Sequence, residues 1–349
     1  MLEPVPEPRL REAAAAGDER AFAELVEPYR GALHAHCYRM LGSTQDGEDA
    51  VQETLLRAWR SLATFEGRSS LRSWLYTIAT NVCLRAIERR PVRVLPIEHG
   101  PPADPRLPLA EPLAESTWIE PYPDDRLDLA DGPAGPEARY EQRESVELAF
   151  VAALQHLPAR QRAVLILRDV LGYSGAEVAD ALQTTPASVS SALQRAHETV
   201  DHRLPARSQQ ATLSSLGDAR LRELVDRYVQ AWERNDVGAI VSMLTDSATI
   251  AMPPTATWYR GPEAVCAFLR TRPLNGALKW RLTPATVNGQ PGALAELWDS
   301  VAGCFRAHHT AVLTFRDDRI DEIHTFLTPW AMTAEVQNCS GGAEGTSEA

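Results

Sequence analysis

Apolar residues recur every three or four positions along three stretches near the start of the chain. Phe22, Leu25, Val26, Tyr29, Leu33, Cys37 and Met40 form the first stripe. Val51, Leu55, Ala58, Trp59 and Leu62 form the second, over about 46–62. Leu71, Trp74, Leu75, Ile78, Val82 and Ala86 form the third. This spacing predicts amphipathic helices. Three stripes buried against one another predict an all-α bundle over residues 18–90.

A second all-α region is predicted over 137–204. Helices at about 144–156 and 159–170 flank Leu157-Pro158, and Gly172-Tyr173 breaks the pattern. Ser174 and Glu177 have capping-box spacing and open a helix with Val178, Ala179 and Leu182. After a turn at 183–185, Pro186 takes a first-turn position in a helix carrying Val189, Leu193, Ala196 and Val200. Helix, tight turn and helix, with small Ala179 near the crossing, is the helix-turn-helix pattern, whose second helix enters the DNA major groove. An ordinary helical hairpin has the same periodicity.

From 217 the pattern changes. Leu221, Leu224, Val225, Tyr228, Val229 and Trp232 lie on one helical face, and 237–244 continues as helix. Residues 248–252 read as a strand and 262–270 as a helix. Strand-like runs follow at 279–287, 292–301, 304–316 and, after a turn at Asp317-Asp318, 319–327. Helices followed by a curved antiparallel sheet predict an α+β domain over 217–335.

Composition adds a linker. Residues 91–136 hold 11 of the 25 prolines. Of the net charge of −12, −7 falls on residues 97–136, whereas 1–96 balances 13 bases against 13 acids and 137–207 is −1. Dense prolines break helices and remove backbone donors, so 91–136 is expected to be an extended, self-repelling linker. An acidic chain argues against stand-alone DNA binding. The near-neutral helical regions soften that argument: DNA binding with the help of a partner fits them. The cysteines (37, 83, 266, 304 and 339) lack metal-ligand spacing, which fits a reduced cytoplasm and predicts no metal or other cofactor. No membrane span or secretory leader is expected, and 338–349 is expected to be a disordered tail. Lys279 is the one lysine among 35 basic residues.

The wet faces carry the candidate chemistry. Asp46, Asp49 and Glu53 share one helical face opposite the core stripe, flanked by Gln52 and Leu56. Such a patch suits docking on a basic helical surface; an acid bias at a helix N-terminus gives the same pattern. The third bundle helix presents Ser73, Tyr76, Thr77, Thr80 and Asn81, then Arg85, Arg89 and Arg90. These groups handle unstacked bases and phosphates, and equally make a plain solvated face. The last helix of the second region offers Ser188, Ser191, Gln194 and Arg195, of which Gln and Arg read adenine and guanine edges.

Several strings together resemble bacterial sigma factors of the extracytoplasmic-function (ECF) group. They are Asp46-x-Glu48-Asp49-x-Val51-Gln52-Glu53-x-x-Leu56-Arg57-Ala58-Trp59, then Phe65-x-Gly67-x-Ser69-Ser70-Leu71-Arg72-x-Trp74-Leu75-x-x-Ile78-Ala79-x-Asn81, then Leu157-Pro158-x-x-Gln161-Arg162 and the helix-turn-helix. The resemblance covers about half the chain. It implies a region 2 bundle and a region 4 helix-turn-helix that bind core RNA polymerase and direct promoter-specific transcription initiation. Asp49, Gln52, Glu53 and Leu56 would contact the polymerase β′ subunit, with the β subunit a further partner. Arg68, Ser69, Ser70, Tyr76, Thr80 and Asn81 would open the −10 element and capture a flipped base. The 187–197 helix, with Ser188, Ser191, Gln194 and Arg195, would read the −35 element. Ser190, Ala192 and His197 stand where many relatives carry Lys or Arg, implying fewer phosphate contacts. The acidic linker is expected to thread the polymerase channel through Glu111, Glu115, Glu120, Asp124 and Asp125.

Beyond region 4, Trp258-Tyr259-Arg260-Gly261 and the late hairpin resemble the SnoaL-like family, a cone-shaped α+β barrel. The linker's Trp118-Ile-Glu-Pro121-Tyr-Pro-Asp124 resembles a motif of sigma factors that carry such a domain. The domain is expected to regulate the sigma regions in cis, and a small-molecule ligand is a candidate partner for it. Asp299, His308, His309 and His324 are its candidate acid–base groups. No His–Asp pair follows from the sequence, and fold analogy does not license catalysis, so no enzyme activity is expected. The alternative is a SnoaL-type enzyme or ligand sensor localised by DNA-binding domains.

Overall fold

A computed structural model describes residues 7–114, 117–126 and 141–332, which fall into two compact units. The first comprises 1–93 with 122–205, the second 94–121 with 206–349. The tail expected at 338–349, the linker stretch 127–136 and Glu115 lie outside the described residues.

The first unit opens with α1 (Glu7–Ala15), α2 (Glu19–Val26), α3 (Arg30–Leu41), α4 (Thr44–Ser61) and α5 (Leu71–Ile87). Ser43 caps α4 by accepting from the Asp46 N–H at 3.0 Å, and Ser70 caps α5 by accepting from the Ser73 N–H at 3.1 Å. Gly42 ends α3 at φ 69°, a left-handed conformation open to a residue without Cβ. Four more helices follow: α6 (Leu148–Gln155), α7 (Ala159–Leu165) with a π-helical turn Ile166–Val170, α8 (Gly175–Ala181) and α9 (Pro186–Asp201). The capping box of Ser174 and Glu177 forms at the start of α8, and Thr185 with Pro186 opens α9.

The bundle and the helix-turn-helix, expected as separate domains, share one continuous apolar core from Ala14 to Val200. Two buried arginines join them. Arg39 donates to the Ser145 carbonyl at 3.1 Å and to its hydroxyl at 2.7 Å. Arg162 donates to Gln155 Oε1 at 2.6 Å, to the Gln155 and Leu157 carbonyls, and to the Met40 carbonyl at the end of α3. Its neighbours are carbonyl oxygens rather than a carboxylate, and burial lowers its pKa to about 10.

The second unit holds α10 (Gln209–Leu216), α11 (Asp218–Glu233), α12 (Val237–Ser242), β1 (Leu244–Ala251), β2 (Trp258–Arg260), α13 (Pro262–Thr271), β3 (Trp280–Val287), β4 (Gln290–Asp299), β5 (Cys304–Arg316) and β6 (Arg319–Leu327). The sheet order is β2-β1-β6-β5-β4-β3. All pairs are antiparallel except β1 with β6, which is parallel. The expected cone is an open six-stranded sheet whose inner face packs on α11 through Trp232, Trp280, Leu282, Ala295 and Leu313. On the other face of β3 to β5, Lys279 Nζ lies 5.2 Å from the Trp298 ring and 5.7 Å from the Phe305 ring.

The proline-rich segment is not the extended, self-repelling linker its composition predicts. Residues 94–121 dock on the second unit. The amides of Ala103, Ala110 and Leu113 donate to Trp258 O, Thr257 Oγ1 and Pro254 O at 2.8, 2.9 and 3.0 Å. Trp118 Nε1 donates to Pro254 O and Trp258 Nε1 to Gly100 O, both at 2.8 Å. Prolines remove donors, but these amides and indoles are paired, and Trp118 and Ile119 are buried at 3% and 1% exposure. Apolar anchoring therefore outweighs repulsion among the segment's acids. Among the described residues no helix is long and apolar enough to cross a membrane, and no group of His, Cys, Asp and Glu is arranged to hold a metal ion.

Candidate nucleic-acid interface

Helix α4 presents Asp49, Gln52 and Leu56 to solvent, Leu56 at 42% exposure. Glu53 is half-buried and accepts from Arg57 Nε at 2.6 Å. Asp46, expected on the same acidic face, is a correction. It is buried, pairs with Arg93 at 2.7 Å and also binds Arg90. The chain leaving α5 folds back over the first turn of α4, which the helical wheel of α4 alone does not show. The two guanidinium groups hold the Asp46 carboxyl below its ordinary range against the opposing effect of burial.

The loop before α5 exposes Arg68, Ser69 and Ser70. Arg68 pairs with Glu66, and the Ser70 hydroxyl is engaged in capping α5 and bonding Ser73 Oγ at 2.9 Å. Farther along α5, Tyr76 and Thr80 are buried at 2% and 0% exposure, which corrects their expected place on a wet face. Thr80 Oγ1 donates to Tyr76 O at 2.8 Å and accepts from His36 Nε2 at 2.9 Å. Burial, with Arg39 nearby, pushes the His36 pKa down to about 3, so the imidazole stays neutral. Asn81 is half-buried, with Nδ2 on Thr77 O at 2.9 Å.

The helix-turn-helix segment supplies the cover. The Arg72 guanidinium lies 5.0 Å from the Tyr76 ring and 5.6 Å from the Tyr173 ring, a cation held between α5 and the entry to α8. A cleft of about 480 Å³ runs between Arg68, Ser69, Ser70, Ser73 and Thr77 on one side and Tyr173, Glu177 and Asp180 on the other. Hydrogen bonds from Ser174 hold the Glu177 carboxyl below its ordinary range. Two carboxylates therefore face the groups expected to meet DNA. The pairing of Arg72 with Tyr173 joins segments about a hundred residues apart, which periodicity does not show.

Helix α9 presents Ser188, Ser191, Gln194 and Arg195 on its exposed surface. Ser188 Oγ bonds the capping Thr185 Oγ1 at 2.9 Å, and Gln194 Nε2 reaches Glu198 Oε1 at 3.3 Å. His197 contacts Asp169 at 2.6 Å.

In the second unit the candidate acid–base groups do not all converge: only His308 and His309 meet. Asp299 accepts from the Val301 and Ala302 amides in the β4–β5 turn and pairs with Arg306 at 3.2 Å. His324 pairs with Glu322 at 3.0 Å, on the strand face opposite that of Ile323 and Thr325. His308 and His309 contact each other.

Three family descriptions match the chain: "Sigma-70 region 2" over residues 25–91, "Sigma-70, region 4" over 147–199 and "SnoaL-like domain" over 225–323. The chain is 44% identical over 315 residues to the ECF RNA polymerase sigma factor SigG of Mycobacterium tuberculosis, covering 89% of this chain and 82% of that one. It is 30% identical over 207 residues to the RNA polymerase sigma-H factor of Pseudomonas aeruginosa, covering 58% and 96% of the two chains. The crystal structure of the Mycobacterium tuberculosis ECF sigma factor SigJ shares the fold, with a TM-score of 0.56 at 24% identity over 88% of this chain and 97% of that one.

Proposed function

The chain belongs to the ECF group of RNA polymerase sigma factors, and from that premise we propose how its parts divide the work. Its activity is promoter-directed transcription initiation with RNA polymerase, which is not an enzymatic reaction of its own. The observation that carries the finer reading is the exposed face of α4, where Leu56 stands among Asp49, Gln52 and Glu53. This face docks on the β′ subunit, α9 reads −35 DNA, region 4 meets the β subunit, and the loop before α5 takes the opened −10 strand. The work is done in the cytoplasm.

The described arrangement is a closed one. At 3.4 Å per base pair, −10 and −35 elements about 25 base pairs apart are separated by roughly 85 Å. A helix-turn-helix resting on α5 cannot read −35 while α5 holds −10. Region 4 therefore leaves α5 on polymerase, which uncovers Tyr76. The C-terminal domain regulates this step in cis by holding residues 94–121 of the chain that joins regions 2 and 4. The alternative reading, a SnoaL-type enzyme, loses support because Asp299, His308 and His324 have separate partners.

Purified core polymerase with this protein is expected to give promoter-specific transcripts on fragments selected by binding. No transcript on any selected fragment would sink the reading. Removing residues 208–349 is expected to change that activity; identical core binding and transcription would remove the cis-regulatory part.

A further inference from the structure

Two arginines at the seam between the bundle and the helix-turn-helix have no anion to balance them. Arg39, on α3, is buried at 4% exposure. Its Nε and Nη2 donate to the Ser145 carbonyl and hydroxyl, which leaves Nη1 without a hydrogen-bond partner among the described residues. Burial pulls its pKa below the ordinary guanidinium range, and the groups that act on its charge are the phenols of Tyr76, Tyr122 and Tyr38. Phenols are neutral at pH 7 and do not offset a cation. Arg72, on α5, is exposed and rests against the Tyr76 and Tyr173 rings. Among the described residues neither arginine pairs with a carboxylate. A buried guanidinium is ordinarily paired, and it does not shed its proton to escape the cost of burial.

Both arginines line one cavity of about 130 Å³. Gly31, Ala32 and Ala35 of α3 make the room, because none of them extends beyond a Cβ. Gln142, Val170 and Leu171, from the helix-turn-helix side of the seam, complete the wall. Exposed Arg72 marks the mouth and buried Arg39 the floor. A cavity of about 150 Å³ accepts a six-membered carbon ring. This one therefore has room for a tetrahedral oxyanion and none for a nucleoside. The guanidinium fork matches the paired oxygens of such an anion.

We propose that this cavity is a binding site for a free inorganic oxyanion of the phosphate type, held by Arg39 at the floor and Arg72 at the mouth. The same group ends many larger metabolites, and the size of the cavity favours the free anion over them. Arg39 Nη1 gains the acceptor it lacks, and the buried charge gains its counter-ion. The anion is enclosed only while Gln142, Val170 and Leu171 stay in place, so it binds the closed arrangement better and shifts the protein toward it. That last step rests on the reading that region 4 leaves α5 on polymerase; the site itself does not.

The test is isothermal titration calorimetry of the full chain with inorganic phosphate, in an amine buffer with chloride holding the ionic strength. One equivalent is expected to bind with a dissociation constant of about 1 mM or tighter. Arg72→Gln, on the surface, should weaken binding at least tenfold. Ala35→Leu, which fills the cavity and leaves both charges, should abolish it, and Arg85→Gln, in the exposed last turn of α5, should change nothing. If Ala35→Leu fails to fold, the contrast between Arg72→Gln and Arg85→Gln decides alone. Adenosine monophosphate, the same group on a nucleoside, should bind at least tenfold more weakly than phosphate. No binding at millimolar concentration, or equal loss in Arg72→Gln and Arg85→Gln, overturns the site. Adenosine monophosphate binding as tightly as phosphate overturns the free anion as its occupant. Promoter transcription with phosphate in place of chloride separates the two readings. A fall that Arg72→Gln abolishes supports the link to closure. Phosphate binding without such a fall upholds the site and removes its bearing on closure.

Discussion

Helices α4 and α5 lie side by side in one bundle, and each carries a face assigned to a macromolecule. The α4 face is open, with Asp49, Gln52 and Leu56 in solvent. On α5, Tyr76 and Thr80 are closed off by His36, Arg72 and Tyr173. The difference teaches an order of events. On the proposed reading, polymerase can be engaged as the protein stands, whereas the Tyr76 face of α5 becomes available only after region 4 moves. The chain's charge distribution points the same way, since a near-neutral pair of DNA-facing regions has little non-specific affinity to spend on DNA alone.

The most severe way to break this contrast is to remove the tie between the bundle and the helix-turn-helix. Arg162→Ala strands Met40 O, Gln155 O, Leu157 O and Gln155 Oε1, and should lower unfolding stability by about 3 kcal/mol in urea titration. A loss under about 0.5 kcal/mol would mean these carbonyls find other partners. Next in size, Leu56→Asp should weaken core polymerase binding tenfold or more, about 1.4 kcal/mol, with the circular dichroism spectrum unchanged. Unaltered affinity would take α4 out of the docking surface.

A smaller and opposite effect is expected from Tyr173→Ala. It removes one face of the Arg72 sandwich, worth about 1 kcal/mol. Binding of single-stranded −10 DNA by the free protein, read by fluorescence anisotropy, should rise severalfold while core binding stays put. A fall in DNA binding would show that Tyr173 contacts DNA instead of covering its site. The mildest test concerns Asp46. Its folded pKa is depressed, so its contribution to stability is present above the ordinary carboxylate range and is lost as pH falls through the folded value. Asp46→Asn should therefore be less stable than the parent at pH 7, and the gap should shrink on acidification. A gap independent of pH would mean that hydrogen bonding, not charge, is at stake.

What the sequence made legible was local. The stripes of α4, α5 and α11 and the strands β3 to β6 follow from periodicity over 8–18 residues, and they appear nearly where expected. So does the cap at Ser174. What stayed hidden depended on distant segments. Asp46 looked wet because Arg90 and Arg93 lie past the end of the next helix. Tyr76 looked wet because Tyr173, which packs against it, comes some ninety residues later, and Thr80 because its partner His36 lies on α3. The proline-rich segment departs from expectation for another reason: composition shows that a segment cannot form regular structure, but not whether it can dock. Trp118 belongs to a recognisable motif, yet its carbonyl partner Pro254 lies more than a hundred residues away. Strand β2, three residues long, is too short to show a period.

Lys279, set beside Trp298 and Phe305, has a practical consequence. Because every other basic side chain is an arginine, an amine-selective reagent meets, apart from the chain's α-amine, a single side-chain target, and that target is in the C-terminal domain. A dye or cross-linker placed there reports on that domain without touching a guanidinium group of regions 2 or 4. Acylation of that lysine would remove one positive charge from the two rings while leaving every charge in the polymerase- and DNA-facing regions as it was.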